Sequence, residues 1–129
     1  MSMRTPTTDD VLRKEAVDLA TDVASLMVRH RGAVRPEHAY LLAMECVKIA
    51  GRILDARCQA LPWVASSLFE EARTSTVRAM VALDRAGAHA SLPPREVAGL
   101  NRRFHDLALT LGALARPGGS WEGEAGAGA

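Results

Sequence analysis

Cysteine and aromatic residues are both scarce in this 129-residue chain. Cys46 and Cys58, the only two cysteines, cannot build a disulfide framework, and they suit a reducing compartment. Aromatic residues make up only 4% of the sequence. No window approaches the roughly 18 consecutive apolar residues of a membrane-spanning helix, and the first residues lack the basic and apolar regions of a signal peptide. These absences exclude a secreted disulfide scaffold and a membrane protein, and they predict a cytoplasmic protein.

The composition is that of a globular domain. Hydrophobic residues account for 48% of the chain and charged residues for 24%. Six prolines and ten glycines are too few for a fibrous or disordered protein. A chain of 129 residues allows one domain, with a core that needs neither disulfides nor a metal to hold it.

Four amphipathic segments predict four helices of about 20 residues each. Thr8 is placed to cap the first, Pro36, Pro62 and Pro94 open the others, and Gly32 and Gly87 are predicted to end the first and third. No alternation of β-branched residues and no hairpin turn suggests a strand. The apolar stripes are Val11, Leu12, Ala16, Leu19, Val23, Leu26, Met27; Tyr40, Leu42, Ala43, Cys46, Ile49, Ile53, Leu54; Val64, Leu68, Ala72, Ser75, Ala79, Leu83, Ala86; and Val97, Leu100, Phe104, Leu107, Leu111, Leu114.

This pattern predicts an all-α protein, an antiparallel up-down four-helix bundle over residues 8–116. Residues 1–7 are predicted to be a disordered N-terminus, and residues 117–129 a flexible Gly-rich tail around Trp121. The apolar side chains of Trp63, Tyr40 and Val47 are candidates to fall outside the core. Exposed apolar residues on a small bundle favour self-association, so a homo-oligomer is predicted.

Charge is unevenly distributed although the formal net charge is only +1. Residues 29–57 hold six basic and three acidic groups, whereas residues 1–28 hold three basic and five acidic groups. Fourteen of the sixteen basic residues are arginine, which binds phosphate in a fork. A strip that joins Arg29, Arg31 and Arg35 to Arg102 and Arg103 would bind nucleic acid. The alternative is a solvated charged face, with an arginine bias that a GC-rich genome alone would produce.

Catalytic and metal motifs are weak. Glu-x-x-His, His-x-x-x-His and Cys-x-x-Cys are all absent, so no metal and no cofactor are predicted. Small helical ribonucleases of the HEPN type carry an arginine, four to six residues and then a histidine, and Arg31 and His38 have this spacing. Gly32 replaces the polar residue that usually follows the arginine. Such a nuclease would require His38 or His105 in a cleft beside an arginine; we predict no enzyme and no small-molecule substrate.

A family resemblance covers residues 30–116. The segment from Cys46 to Ala56, with Gly51, Arg52 and Ile53 at its centre, resembles the second helix of S23-type four-helix-bundle proteins. It is also similar to their relatives, the accessory variability determinant proteins of diversity-generating retroelements. Three further segments are similar to the same family: the spacing of residues in the third helix from Leu68 to Leu92, the segment Leu92–Glu96, and the end of the last helix at Leu111–Leu114.

This resemblance implies a barrel-like homo-pentamer without an active site, which binds a reverse transcriptase and structured template RNA and supports mutagenic cDNA synthesis. Its RNA-binding residues would be Arg31, Arg35, Arg52, Arg102 and Arg103. Of these, Arg52 and the basic character of the first loop rest on matched positions; the other assignments, and Arg29, come from the charge distribution. Affinity for RNA would then fall steeply with salt. The alternative is a protein-binding bundle, such as an antitoxin, a chaperone or a regulatory partner, that does not bind nucleic acid.

Overall fold

The predicted all-α helical bundle is confirmed. A computed structural model describes residues 8–89 and 91–116, and within those ranges it contains four helices and no strand. The helices are α1 (Thr8–Arg29), α2 (Pro36–Arg57), α3 (Pro62–His89) and α4 (Pro94–Ala115). The predicted disordered start at 1–7 and the predicted flexible tail at 117–129 lie outside the described residues.

Proline sets the starts of α2, α3 and α4, as the sequence predicts. Pro36 and Pro94 occupy the first turn, and the residues before them, Arg35 and Pro93, make no capping hydrogen bond through their side chains. Proline suits this place because its φ angle is already helical and it has no N–H that would need a partner. The α1–α2 turn is closed by the amides of Ala33 and Val34, which donate to the His30 carbonyl at 2.9 and 3.2 Å.

Helix α3 is the longest, and it packs most extensively on α2 and α4. The prediction that Gly87 ends this helix is wrong, because α3 continues to His89. A Cβ on Gly87 would lie 3.7 Å from Cγ1 of Val97 on α4, which is ordinary contact. Glycine inside a helix lowers the stability of that helix by roughly 0.5–1 kcal/mol relative to alanine. Packing of α3 against α4 outweighs that loss here.

The core is formed by one stripe from each helix. Thr76 is buried among these side chains and donates its hydroxyl to the Ala72 carbonyl at 2.8 Å, so its polar atom is satisfied. The stripe predictions are wrong for Val11, Tyr40, Ala43 and Leu54, which are exposed, and they omit the buried Val34, Phe69 and Leu92. The largest fully buried side chains are Phe104, Leu19, Leu26, Leu42, Ile49, Ile53, Leu83, Leu111, Val23 and Thr76.

The two cysteines are placed very differently. Cys46 is buried, and burial raises the pKa of its thiol to about 11. Cys58 is exposed just after α2. Because only the thiolate reacts, a disulfide reagent at about pH 8 is expected to label Cys58 in the folded protein and Cys46 only after unfolding. Counting labelled thiols per chain by mass spectrometry tests this, with Cys58→Ser as the control; rapid native labelling of that variant would contradict it.

Candidate interaction surfaces

Helix α2 carries a second apolar stripe on the side that faces away from the core. We call it the outer seam, and it consists of Tyr40, Met44, Val47, Gly51, Leu54 and Cys58. Successive members are four, three, four, three and four residues apart, which is the spacing of a helix-pairing surface. Val47 is 67% exposed and Tyr40 64% exposed. The earlier prediction that Tyr40, Val47 and Trp63 lie outside the core is therefore confirmed.

A groove runs beside this seam, between α1 and α2. Small side chains, Ala20 and Ala24 on α1 and Ala50 on α2, line it, and Val17 and Leu54 add larger apolar surface. Its volume is about 630 Å³. We call it the α1–α2 groove. Small residues beside branched ones give the ridge-and-groove relief into which another helix packs.

Gly51 belongs both to the outer seam and to the lining of the α1–α2 groove. A Cβ at this position would have nothing within 4 Å. The fold of one chain therefore does not require glycine here, and glycine in a helix is otherwise unfavourable. A glycine at such a place allows the backbone of a second helix to approach closely.

Two of the arginines predicted to bind nucleic acid instead join α1 to α4. Arg29 forms a two-bond fork on the Glu96 carboxylate at 2.9 and 2.6 Å. Arg103 donates to Asp22 at 2.6 Å and to Glu15 at 3.1 Å, so that it bridges two turns of α1. Hydrogen bonds to these carboxylates raise the pKa of both guanidinium groups. The charges of Arg29 and Arg103 are therefore paired with carboxylates of the same chain.

The four remaining arginines that were predicted to bind nucleic acid fall into two groups, two beside carboxylates and two that form no ion pair with a described residue. Arg52 is bonded to Glu71 on α3 at 2.9 Å, and Arg35, just before α2, lies 3.8 Å from Glu37 in the first turn of α2. Arg31 and Arg102 are exposed and form no ion pair with any described residue. The structure brings Arg29, Arg31 and Arg35 together around the α1–α2 turn, next to the start of α4 that Glu96 marks. It does not bring Arg52 to that end of the bundle.

The Arg29–Glu96 pair gives a prediction about acid stability. The guanidinium holds the pKa of the Glu96 carboxyl below its ordinary value of 4.5, so the pair stabilises the fold above that pH and the stabilisation is lost as the pH falls through the lower folded-state pKa. The melting temperature of Glu96→Gln is expected to fall less than that of the unmodified protein on acidification from about pH 6 to about pH 3. Asp55→Asn, at an exposed carboxylate of α2, serves as the control. Equal falls in all three proteins would contradict the assignment.

A smaller pocket of about 270 Å³ lies between α2 and α3. His38 lines it beside Arg78 and Arg85, which is the placement that a helical nuclease would require. Arg31, the arginine that the sequence pattern couples to His38, does not line it, and most of the lining is apolar. His105, the other candidate, is exposed on α4. We call this cavity the α2–α3 pocket.

The chain has no match among family models, curated proteins or solved structures. Among the described residues, no cluster of His, Cys, Asp and Glu could hold a metal ion. No helix in the same part of the chain is long and apolar enough to cross a membrane.

Proposed function

We propose that this protein is a non-enzymatic, self-associating accessory protein whose copies pair through the outer seam of α2. The exposed stripe of apolar residues at helix-pairing spacing carries the proposal. Leaving such a stripe in water forgoes about 25 cal/mol for each square ångström of apolar surface. The seam covers 19 residues from Tyr40 to Cys58, a length of about 27 Å at the rise of a helix, which is long enough to pack along a neighbouring helix.

The overlap of the two surfaces indicates the symmetry of this pairing. Val47, Gly51 and Leu54 belong both to the outer seam and to the α1–α2 groove. One copy cannot offer its seam to one neighbour and its groove to another, because both would need the same residues. A ring requires two separate patches, whereas a two-fold pair uses one patch twice. This overlap favours a dimer as the basic unit over the pentamer that the family resemblance implies.

Oxidative cross-linking tests the pairing. If two α2 helices run antiparallel, position 40 of one copy lies beside position 58 of the other, so Tyr40→Cys forms a disulfide with Cys58 of its partner. If they run parallel, the unmodified protein cross-links through Cys58 alone. Leu109→Cys combined with Cys58→Ser, which moves the exposed thiol to α4 away from the seam, is the matched control. Cross-linking of Tyr40→Cys and of the unmodified protein no faster than this control would exclude the seam as the interface.

The resemblance extends the proposal to a reverse transcriptase and structured RNA as partners of the assembly. Four exposed arginines support RNA binding. Arg31 and Arg35 lie at the α1–α2 turn, and Arg95 and Arg102 lie on α4. Against it, Arg29, Arg52 and Arg103 are occupied by carboxylates. The charges therefore favour the protein-binding alternative over RNA binding.

One measurement distinguishes an RNA-binding assembly from a protein-binding bundle. The native mass from light scattering, taken with absorbance at 260 and 280 nm on the same peak, reports subunit number and bound nucleic acid together. If RNA is retained, Arg102→Glu is expected to release it at lower salt, because that arginine is exposed and forms no ion pair with any described residue. Arg103→Glu is a poorer probe, since it also breaks the hydrogen bonds to two carboxylates of α1, those of Glu15 and Asp22. A dimer free of nucleic acid would leave a protein-binding bundle.

A further inference from the structure

The α2–α3 pocket is separate from the outer seam and from the α1–α2 groove. Leu41 on α2 and Val77 and Val81 on α3 provide much of its apolar lining. Its volume of about 270 Å³ is at the lower end of ligand-binding pockets. A cavity of this size and lining accommodates a small molecule with an apolar body, and it is too small and too apolar for a nucleotide.

Glu45 places a carboxylate in this apolar pocket. The residue is only 8% exposed, and its Oε1 atom is buried without a hydrogen-bond partner. A buried acceptor that is left unsatisfied destabilises a fold, and native proteins tolerate few of them. A hydrogen-bond donor supplied by a ligand would satisfy this atom.

Two arginines line the same pocket. Arg78 and Arg85 are seven residues apart on α3, so they lie two turns apart on one side of the helix. Neither forms an ion pair with Glu45, nor with another carboxylate among the described residues. Opposite charges therefore line one small cavity without neutralising each other. A ligand that carries a cationic group and an anionic group would bridge them.

We propose that the α2–α3 pocket binds a free α-amino acid with an apolar side chain. Its ammonium group donates to the Oε1 atom of Glu45, and its carboxylate accepts from Arg78 and Arg85. Its side chain packs against Leu41, Val77 and Val81. Glu45, Arg78 and Arg85 thereby each gain a partner of opposite charge, and the apolar side chain of the amino acid covers the apolar walls of the pocket.

Titration of L-leucine and L-phenylalanine into the isotopically labelled protein, followed by methyl NMR, tests the proposal. We expect the methyl signals of Leu41, Val77 and Val81 to shift, and those of Val17 and Leu54 to stay. Two analogues of leucine serve as ligand controls: 3-methylbutylamine, which has no carboxylate, and 4-methylpentanoate, which has no amine. Each loses a charged hydrogen bond, so each should bind at least about tenfold more weakly.

Variants assign the roles of the side chains. Glu45→Gln removes a buried charge, so it should fold, and it is expected to weaken L-leucine at least about tenfold while leaving 4-methylpentanoate unchanged. Arg78→Gln combined with Arg85→Gln should weaken both. Arg102→Gln, an exposed arginine of α4, is the matched control and should bind normally. No methyl shift at about 10 mM of either amino acid, shifts confined to the α1–α2 groove, or equal binding by all variants would each overturn the proposal.

Discussion

Val47→Arg is expected to convert the self-associated protein into monomers without lowering the stability of the bundle. Val47 is 67% exposed in the single chain, so arginine meets no steric or desolvation penalty there. In a two-fold pair the substitution is present twice, and each copy loses the burial of a valine, about 2 kcal/mol. Association should weaken by a factor on the order of a thousand, which sedimentation or light scattering over a range of concentrations will measure.

The matched control is Leu109→Arg. Leu109 is exposed to a similar degree, but it lies on α4 and outside the outer seam. This variant should keep the native mass of the unmodified protein and unfold at the same temperature. If Leu109→Arg dissociates the protein and Val47→Arg does not, the interface lies on α4 and the proposed pairing of α2 is wrong.

Phe104→Ala is expected to produce the largest loss of folding stability. Phe104 is fully buried on α4, among core residues of the other helices. Removing an aromatic ring from such a position costs about 3–5 kcal/mol, because the cavity collapses only in part. A domain of this size has about 5–15 kcal/mol of stability, so this one substitution should remove at least about a fifth of it.

Urea denaturation in a monomeric Val47→Arg background measures this loss without interference from association. Leu109→Ala, on the same helix but exposed, should change the free energy of unfolding by about 0.5 kcal/mol or less. Equal destabilisation by Phe104→Ala and Leu109→Ala would mean that α4 does not pack by the face described.

The bundle could be predicted because its helices begin and face inward by local rules. Proline at positions 36, 62 and 94 marks three helix starts, and the stripe from Leu100 to Leu111 gives the buried face of α4. The prediction that Gly87 ends α3 was wrong because a glycine ends a helix only when no neighbouring element supports the next turn. Here α4 supports it. Such support comes from a residue ten positions away, which local rules do not consider.

Helix α2 shows why the functional surface was harder to predict than the fold. It has apolar residues on two sides, and both sides have helix-pairing spacing, so the sequence alone does not say which side the bundle uses. Arg29 and Arg103 illustrate a second limit. Their carboxylate partners lie 67, 81 and 88 residues away in the chain, and nothing local distinguishes a paired arginine from one that is free to meet phosphate.

The interface between α1 and α4 is the least extensive in the bundle, and the Arg29–Glu96 and Arg103–Asp22 ion pairs span it. Two cavities of about 360 and 310 Å³ flank Arg103 along it. Helix α1 should therefore open first in native-state hydrogen exchange, well before α3, and faster in high salt, which screens its ion pairs. Since α1 also forms one wall of the α1–α2 groove, a partner bound there would slow this exchange. Assembly would then set how often α1 opens.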